Sequence, residues 1–404
     1  MKKKILIIGA GHEQVPAILL ARKLGLEVIV TDQNRQAPGA EVADHVEFVS
    51  TADKAGNLAV AKKYAIDGVM TIGSETAVPV VAHVAAALQL PGFSEFTAYV
   101  ATNKNAMRRQ FAAFSVPTTE SAAIASDEQA HAFVAAHGLP VVVKPSDSSG
   151  QRGTTRIDSV DQISSALKES LACSGDKHAI IEKYYAGPEI NVTAAVEAGN
   201  IHFLSLSDRV TAEPPHFGIA IEHVAPAQLS ESEARAIREA SEKAIRAVGL
   251  ENGIAYPQVL NTSDGPKVLE IAVRIPGGHM PEVALHSSGV DMIEFTILQA
   301  IGDVDALASC QRHPVSPALS VRFITALDFP AKSQVVSRVG PLATVMDIKG
   351  VKMARLNLQV GAPIPSLHHS GSRFGAILAL GDTRAEACQR SLDASKKLQV
   401  DFEN

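Results

Sequence analysis

The sequence predicts a protein of mixed class, α/β in its first part and α+β in the rest, with more than one domain. In the first hundred residues, short apolar strands alternate with amphipathic helical segments, which is the pattern of a parallel sheet with crossover helices. From about Thr102, helices are followed by pairs of strands around Gly-containing turns, and the last hundred residues combine short strands with a terminal helix at Thr383–Lys397. A length of 404 residues is also more than one domain usually holds.

The composition excludes several classes of protein. With 37 Lys and Arg against 43 Asp and Glu, aromatic residues at 4% and no Trp, the chain lacks the basic field and the stacking residues of a nucleic-acid binder. Its longest apolar stretch, Val78–Leu90, is too short and too polar to span a membrane. Cys173, Cys310 and Cys388 form no C-x-x-C pair, so we expect buried thiols in a reducing compartment and no zinc site. We therefore expect a cytoplasmic protein that binds neither nucleic acid nor membrane.

The first strand-to-helix turn imitates part of a dinucleotide-binding motif. The predicted strands in this region are Ile5–Ile8, Glu27–Val30, Val46–Val49 and Gly68–Thr71, and the predicted helices are Val15–Leu24 and Lys54–Tyr64. Gly9 and Gly11 match the first two glycines of the G-x-G-x-x-G pattern, and Asp32 matches the acidic residue at the end of the second strand. Gln14 stands where the third glycine would allow close helix packing. The pattern favours a tight turn over a nicotinamide site. Binding of a small anion at the helix N-terminus is left as an open alternative.

A loop rich in Ser and Gly joins two predicted strands near residue 150. The surrounding predicted elements are the helices Asn105–Phe114 and Asp127–His137 and the strands Leu139–Val143 and Thr154–Ile157. Backbone N–H groups near Gly150 can approach phosphate oxygens, hydroxyls such as that of Ser149 add donors, and the Lys144 ammonium neutralises charge. The loop therefore suits the cover of a triphosphate, although it lacks the Walker A pattern and a following helix. An exposed hairpin with a solvated lysine is the alternative.

Two carboxylates seven residues apart mark the exit of a strand predicted at Ala179–Glu182. Glu182 ends this strand, and Glu189 follows after Lys183, Tyr184 and Tyr185. A strand exit exposes backbone donors and acceptors that can read an adenine edge, and a carboxylate just beyond can accept hydrogen bonds from two ribose hydroxyls. A charged β-turn is the alternative, because Glu and Lys are common on protein surfaces.

A third polar cluster lies on two further strands. The predicted elements are the helix Ser230–Val248, whose Ser-Glu-Ser-Glu start is typical of a capped N-terminus, and the strands Ile254–Leu260 and Lys267–Val273. Glu270 stands among apolar residues, where a buried charge is costly unless it is paired or bound to a metal. Oxygen ligands from adjacent strands, Gln258 and Glu270, suit Mg²⁺, and Arg274 could reach the same phosphate. A buried ion pair between Glu270 and Arg274 explains the pattern equally well.

The order of these segments resembles the ATP-grasp superfamily across nearly the whole chain. The likeness is strongest to carboxylate–amine ligases of the L-amino-acid ligase type and to the synthetase units of carbamoyl phosphate synthase. His223–Leu229 is similar to a segment of the synthase, and Gly361–Gly381 is similar to the extra domain of the ligases. The resemblance implies an ATP-grasp fold with an N-terminal Rossmann-like domain at 1–101, an ATP-grasp domain at 102–306 with a lid subdomain at about 115–190, and a small C-terminal α+β domain at 307–404.

The resemblance also implies a role for each residue of the three clusters. Lys104 and Lys144 would hold the ATP phosphates, Ser149 and Gly150 would close over them, Glu182, Lys183, Tyr184 and Tyr185 would contact adenine, Glu189 would hold the ribose, Gln258 and Glu270 would bind Mg²⁺ or Mn²⁺, and Arg274 would stabilise the phosphoryl group in transfer. Lys144 and Arg274 are the expected catalytic residues. Ala272 departs from the family, many of whose members have Asn at that position. The number of metal ions, one or two, is therefore left open.

The implied activity is that of an ADP-forming ligase that makes C–N bonds. The γ-phosphoryl of ATP would pass to a carboxylate of an amino acid or small carboxylic acid, and an amine would attack the acyl phosphate to form an amide. Arg274, the Gly277–Gly278 backbone and, as an open alternative, His279 would contact the substrate carboxylate. The resemblance also allows a homodimer. The competing hypotheses are a bicarbonate-activating enzyme of the purine or carbamoyl type, which makes carboxyphosphate, and a non-catalytic ATP-binding regulator.

Overall fold

A parallel sheet with helices on its faces forms the N-terminal part of the chain. The structure, a computed structural model, describes residues 2–213, 216–314, 316–329 and 335–403. The first strands are β1 (Lys4–Ile8), β2 (Glu27–Thr31), β3 (His45–Glu47) and β4 (Gly68–Met70), in the order β3-β2-β1-β4, and the helices are α1 (Val15–Lys23), α2 (Lys54–Tyr64), α3 (Val78–Leu88) and α4 (Glu95–Thr102). Residues 5–8 of β1 are fully buried because helices cover both faces of the sheet. The predicted parallel sheet is confirmed.

The tight first turn is stabilised by the residue that replaces the third glycine. The buried Gln14 side chain donates a hydrogen bond to the Ile72 carbonyl and lies against Gly9. Asp32 follows β2 and accepts a hydrogen bond from the Ala10 amide over 2.9 Å. The exposed Glu13 side chain at the start of α1 adds a negative charge to this turn, which disfavours the small anion considered above.

A small antiparallel sheet, here called the lid sheet, follows. Its elements are α5 (Lys104–Ala113), β5 (Ser121–Ile124), α6 (Asp127–His137), β6 (Val141–Pro145), β7 (Thr155–Ile157), α7 (Ile163–Cys173) and β8 (Ala179–Lys183), with the strand order β5-β8-β6-β7. The predicted hairpin of β6 and β7 is present. Apolar side chains of α6, α7 and all four strands, including Phe133 and Leu167, form a core of their own, so this sheet packs as a compact unit.

Eight of the remaining strands form one long antiparallel sheet, here called the central sheet. In chain order the elements are β9 (Glu189–Glu197), β10 (Asn200–Thr211), β11 (Ala220–Ala225), α8 (Glu231–Ala247), β12 (Gly253–Thr262), β13 (Gly265–Ala272), α9 (Met280–Ser288), α10 (Met292–Ala300), α11 (Ala306–Cys310), β14 (Ala318–Ile324), β15 (Val336–Val339), α12 (Ala343–Met346), β16 (Val351–Leu356), β17 (Gly375–Gly381), α13 (Arg384–Lys396) and β18 (Val400–Phe402). The order in this sheet is β13-β12-β9-β10-β11-β14-β17-β16, while β15 pairs with β18. Because β14 pairs with β11, the predicted C-terminal domain extends the sheet of the predicted ATP-grasp domain. The domain boundaries themselves stay a prediction.

Helix α8 shows why the sequence folds in this way locally. Ser230 accepts a hydrogen bond from the Glu233 amide, and the Glu233 carboxylate accepts one from the Ser230 amide, which is the capping box that the sequence predicts. The apolar face of the helix, with Ile237, Ala244 and Ile245, packs on the core beside β12 and β13. This packing holds the two strands that carry the third polar cluster.

Two expectations from the composition can be compared with the structure. Cys310 is buried and Cys388 is partly buried, and burial raises the pKa of their thiols to about 12 and about 11. The expectation of a buried thiol is wrong for Cys173, which is exposed because it is the last residue of α7 and faces solvent. None of the helices that the structure describes has both the length and the apolar character needed to cross a membrane.

Candidate functional site

A cleft beside the central sheet contains two adjoining cavities. The first, here called the lid cavity, has a volume of about 870 Å³ and is lined by Lys144, Glu182 and Glu189 among others. The second, here called the junction cavity, has a volume of about 430 Å³ and lies where the N-terminal sheet, the central sheet and the C-terminal part meet. Five of the predicted site residues line both cavities: Lys104, Ser149, Gly150, Gln258 and Glu270. The two cavities therefore share one wall.

A buried ion triad forms the floor of the lid cavity. Lys144 extends from β6 to place its Nζ 2.9 Å from one Glu182 oxygen, and Arg108 on α5 donates to the other oxygen over 2.6 Å. Burial raises the pKa of Glu182, but the charges of Arg108 and Lys144 outweigh burial and lower it to about 2. Glu182 is therefore an anion that holds Lys144 in place, and its predicted contact with adenine stays a prediction.

Lys104 reaches the wall shared by the two cavities from the first turn of α5. Its Nζ donates to the Ser148 carbonyl over 2.6 Å and lies 3.9 Å from a Glu270 oxygen, and its backbone amide donates to the Ser146 carbonyl. Burial lowers the pKa of Lys104 below its usual value, and nearby Lys144 adds to this effect while Glu270 opposes it. Lys104 thus ties the Ser- and Gly-rich loop to the central sheet beside the predicted metal ligands.

Gln258 and Glu270 are directly opposite each other on the antiparallel strands β12 and β13. Opposed residues of such a pair project from the same face, so both side chains line the shared wall. The Glu270 side chain is 37% exposed and not enclosed among the apolar residues that flank it in sequence. Burial raises the pKa of Glu270, but the charges of Lys104 and Lys144 outweigh it and hold the pKa below its usual value.

An ionised carboxylate beside an amide oxygen fits a magnesium ion that takes its other ligands from phosphate and water. The described part of the chain contains no group of three or more His, Cys, Asp or Glu side chains that could hold a metal by themselves. A metal ion at Gln258 and Glu270 would take its remaining ligands from water or from a bound phosphate. The adjoining Lys104 and Lys144 are suited to binding such a ligand.

The remaining predicted nucleotide contacts line the far end of the lid cavity. Lys183, Tyr184 and Tyr185 form its wall at the exit of β8. The Tyr185 hydroxyl donates to Glu120 over 2.5 Å, which fixes this wall. Glu189 begins β9 and lies 2.5 Å from the buried Arg209, so its carboxylate is already held by a cation.

Arg274 lines the junction cavity and is held by the N-terminal part of the chain. Its Nε and one terminal nitrogen lie 2.9 Å and 2.7 Å from the same oxygen of Glu75, in the loop after β4. The backbone supports this contact, because Ile72 forms a parallel bridge with Ile275. Arg274 therefore pairs with Glu75, and the alternative predicted ion pair between Arg274 and Glu270 is absent from the structure. Gly277 and Gly278 line the same cavity, as does His279, whose ring lies 3.1 Å from Glu282.

Sequence patterns did not identify several residues of this cleft. Arg108 and Glu75 are first seen in the structure, as is Arg209. Two signals were present: Arg108 lies one helical turn after Lys104 on α5, and Glu75 follows a parallel strand at its carboxyl end, where ligands of such sheets bind. Arg209 lies within a long strand and carries no such signal.

Comparison with known protein families covers most of the chain. Residues 103–304, half of the chain, match the model of the carbamoyl-phosphate synthase L chain ATP binding domain. Residues 329–403 match L-amino acid ligase C-terminal domain 2, and residues 20–92 match the ATP-grasp N-terminal domain. The central part of the chain is therefore an ATP-binding domain.

Several similar proteins match this chain over nearly its full length. Phosphoribosylamine--glycine ligase of Brucella melitensis biotype 1 is 26% identical, over 97% of this chain and 94% of that protein. The structure of L-amino acid ligase from Bacillus licheniformis superposes with a TM-score of 0.85 at 23% identity, covering 100% of this chain and 99% of that one. Phosphoribosylglycinamide synthetase from Anaerococcus prevotii gives 0.79 at 19% identity, covering 100% of both chains. The two structural likenesses show a shared fold. With the family matches, they confirm the predicted fold class and establish that this chain belongs to the ATP-grasp superfamily of ligases.

Proposed function

We propose that this protein is an ADP-forming carboxylate–amine ligase that acts on amino acids or small carboxylic acids. The observation that carries the proposal is the wall shared by the two cavities. The lid cavity is large enough for a nucleotide, and the junction cavity is lined by Arg274. Lys104, Gln258 and Glu270 line both cavities and form the boundary between them. A phosphoryl group bound at this boundary can pass from a ligand in the lid cavity to a ligand in the junction cavity.

The proposed roles follow from this arrangement. Lys104 and Lys144 bind the phosphates of ATP, and Ser149 and Gly150 in the loop after β6 cover them. Gln258 and Glu270 hold Mg²⁺, or Mn²⁺ in its place, which supplies charge neutralisation to the phosphates when bound. Tyr184 and its neighbours contact adenine, and Glu189, together with Arg209, lies at the ribose.

The substrate carboxylate lies in the junction cavity beside Arg274 and the Gly277–Gly278 backbone. Its oxygen attacks the γ-phosphorus, and ADP leaves with the bridging oxygen. The amine then attacks the acyl carbon, the C–O bond breaks, inorganic phosphate leaves and the amine loses a proton. The protein contributes positioning and charge neutralisation, because phosphoryl transfer needs little covalent help. The loop over the phosphates excludes water, which would otherwise hydrolyse the acyl phosphate.

The comparisons support a ligase without fixing its substrates. The C-terminal match is to a domain of L-amino acid ligases, and the relative at 26% identity is by name a ligase that joins phosphoribosylamine and glycine. In both cases the name describes joining to an amino acid. We therefore place an amino acid first among the proposed carboxylates.

The test is ADP release with Mg-ATP across single amino acids, amino-acid pairs, other small carboxylic acids with amines, and bicarbonate, with amide products identified by mass spectrometry. Glu270→Ala should abolish release, whereas Glu242→Ala, which alters an exposed ion pair on α8, should leave release unchanged. An amide formed only with both a carboxylate and an amine supports the proposal. Release that depends on bicarbonate instead indicates a carboxyphosphate enzyme, and tight ATP binding without release across the panel indicates a regulator.

A further inference from the structure

A row of polar side chains is buried in the central sheet beside the predicted metal ligand Gln258. Asn191 and Ser207 are fully buried on the neighbouring strands β9 and β10, and Tyr256 on β12 is 8% exposed. Asn191 is directly opposite Gln258 in the pairing of β9 with β12, and Tyr256 lies two residues before Gln258, on the same face of β12. Buried polar groups are hydrogen-bonded, so the bonds within this row determine how each amide is oriented.

Met280 sets the direction of the first bond in the row. It begins α9, is fully buried, and its thioether sulfur lies 3.8 Å from the Nδ2 atom of Asn191. A thioether sulfur can accept a hydrogen bond but cannot donate one, so the end of the Asn191 amide that faces Met280 must be its NH₂ group. The same Nδ2 atom makes a long contact of 3.5 Å with the Ser207 hydroxyl. The other end of the amide, facing Tyr256, is therefore the oxygen Oδ1.

Tyr256 carries this direction on to Gln258. Its hydroxyl donates to Asn191 Oδ1 over 2.6 Å, which uses the single proton of the phenol. The same hydroxyl also forms a hydrogen bond with the Gln258 side chain. Because its proton is already used, the phenol oxygen accepts this second bond, and the donor must be Nε2 of Gln258. The end of the Gln258 amide that faces away from Tyr256 is then its oxygen, Oε1.

This orientation matters for a cation such as Mg²⁺ or Mn²⁺, which takes oxygen ligands. A glutamine amide that is turned over presents an NH₂ group, which has no lone pair to offer to a cation. Glu270, the other predicted ligand, has oxygen at both ends of its carboxylate and needs no such control. The direction of the hydrogen bonds therefore affects Gln258 alone.

We propose that Asn191 and Tyr256 are positioning residues, which hold the Gln258 amide with its oxygen toward the bound cation. The proposal rests on the proposed function, since it concerns the Mg²⁺ site of the same cleft. Both residues act through the Gln258 side chain and do not touch the cation themselves. Removing a residue that orients a metal ligand typically lowers metal affinity by about 10- to 100-fold.

Nucleotide binding with and without the cation tests the proposal without turnover. Isothermal titration calorimetry would measure the affinity for a non-hydrolysable ATP analogue in the presence and in the absence of Mn²⁺, and the ratio of the two affinities is here called the metal enhancement. Tyr256→Phe should lower the metal enhancement by about tenfold or more, while the affinity without Mn²⁺ stays unchanged. Asn191→Leu should have the same effect, because the Tyr256 proton is then free to bond to Gln258 Oε1.

A carboxylate in place of the amide provides the rescue. Gln258→Glu places oxygen at both ends of the side chain, so adding Tyr256→Phe to Gln258→Glu should not lower the metal enhancement any further. Tyr64→Phe, which removes a hydroxyl that donates to Glu47, is the matched control and should change nothing. An unchanged metal enhancement in Tyr256→Phe and Asn191→Leu would overturn the proposal. The same loss with Gln258→Glu as without it would also overturn it, because the loss would then be structural.

The same variants separate this proposal from the ligase assignment. Amide formation by a protein whose metal enhancement does not respond to Tyr256→Phe would remove the positioning role and leave the ligase. A metal enhancement that falls in Tyr256→Phe but not when this change is added to Gln258→Glu, in a protein that forms no amide with any pair, would remove the ligase and leave the positioning role.

Discussion

The lid cavity and the junction cavity are both lined by cations, but the protein balances these charges differently. In the lid cavity, Lys144 is 2.9 Å from Glu182, and Arg209 is 2.5 Å from Glu189. In the junction cavity, Arg274 is paired with Glu75, while Arg373 forms no ion pair with a carboxylate of the described residues. A cavity whose charges are paired keeps its shape before a ligand arrives, whereas an unpaired cation is stabilised by the ligand itself. The difference fits the proposed function, in which the lid cavity takes the nucleotide and the junction cavity takes the substrates.

The largest expected effect follows from removing the cation at the reacting end of the junction cavity. Arg274→Ala should lower the rate of ADP formation by about 10³-fold or more, the scale on which an arginine stabilises a transferring phosphoryl group. Because the change also breaks the pair with Glu75, circular dichroism must show that the variant is folded before its rate is compared. Steady-state kinetics of both proteins measures the effect, with Arg246→Ala on the surface of α8 as control. Activity within tenfold of the unchanged protein would show that Arg274 does not act on the phosphoryl group.

The next largest effect concerns the stability of the lid cavity. Glu182→Gln removes the negative charge between Arg108 and Lys144 and leaves two buried cations unpaired, which should cost about 3–5 kcal/mol in the free energy of unfolding. Urea denaturation monitored by circular dichroism measures this loss. Glu242→Gln, which breaks an exposed pair, should cost less than about 1 kcal/mol.

The same variant gives a pH dependence with a definite sign. The pKa of Glu182 is about 2, below its ordinary value of 4.5, so its stabilisation is fully present above pH 4.5 and is lost as the pH falls from 4.5 toward 2. The stability difference between the unchanged protein and Glu182→Gln should therefore be constant near neutral pH and shrink below pH 4.5. A difference that grows on acidification would contradict the buried triad.

A smaller effect should follow from loosening Arg274 rather than removing it. Glu75→Gln keeps a neutral acceptor beside Arg274 but loses the charge that orients it. We expect kcat to fall about 10- to 100-fold, as for loss of a charged hydrogen bond, with the KM for ATP unchanged. Glu75→Asp should recover part of kcat. An equal rise in the KM for ATP would indicate that Glu75 supports the fold of the cleft rather than the position of Arg274.

The smallest effect tests a contact that connects the two cavities. The Ser370 amide donates to the Gly150 carbonyl over 3.1 Å, and the Ser370 carbonyl accepts from Arg373. Ser370→Pro removes this amide hydrogen at the first position of a short helix, where proline fits, after His369 in an extended conformation. The KM for ATP should rise by up to about tenfold, the value of one hydrogen bond. Ser370→Ala keeps the amide and is the matched control, and equal KM values for the two variants would exclude the contact.

Local signals predicted the elements well. The helices at Lys54–Tyr64 and Asp127–His137 have the predicted bounds because polar caps and apolar spacing act within a few residues. The same holds for the pairing of Gln258 with Glu270, since a tight turn between two strands fixes their register. The facing positions of Gln258 and Glu270, the predicted metal ligands, could therefore be predicted from the sequence.

Contacts between residues far apart in the sequence could not be predicted from local patterns. Arg274 and Glu75 are separated by 199 residues, and Arg108 and Glu182 by 74 residues. Their pairing depends on how separate elements pack, which periodicity does not encode. Glu270 is a further example, because Val268, Ile271 and Val273 beside it in sequence are buried in the core, whereas its own side chain is only partly buried and lines both cavities. Arg373 carries no motif, and its place in the junction cavity becomes visible only when the walls of that cavity are assembled.

The central claim is that a phosphoryl group passes from the lid cavity to a carboxylate in the junction cavity. Turnover with a carboxylate substrate labelled in both oxygens with ¹⁸O, followed by mass spectrometry of the inorganic phosphate, tests this claim most directly. An acyl phosphate intermediate transfers one labelled oxygen from the carboxylate to each phosphate, with the other retained in the amide. Phosphate that carries no label, released in step with amide formation, would contradict the account.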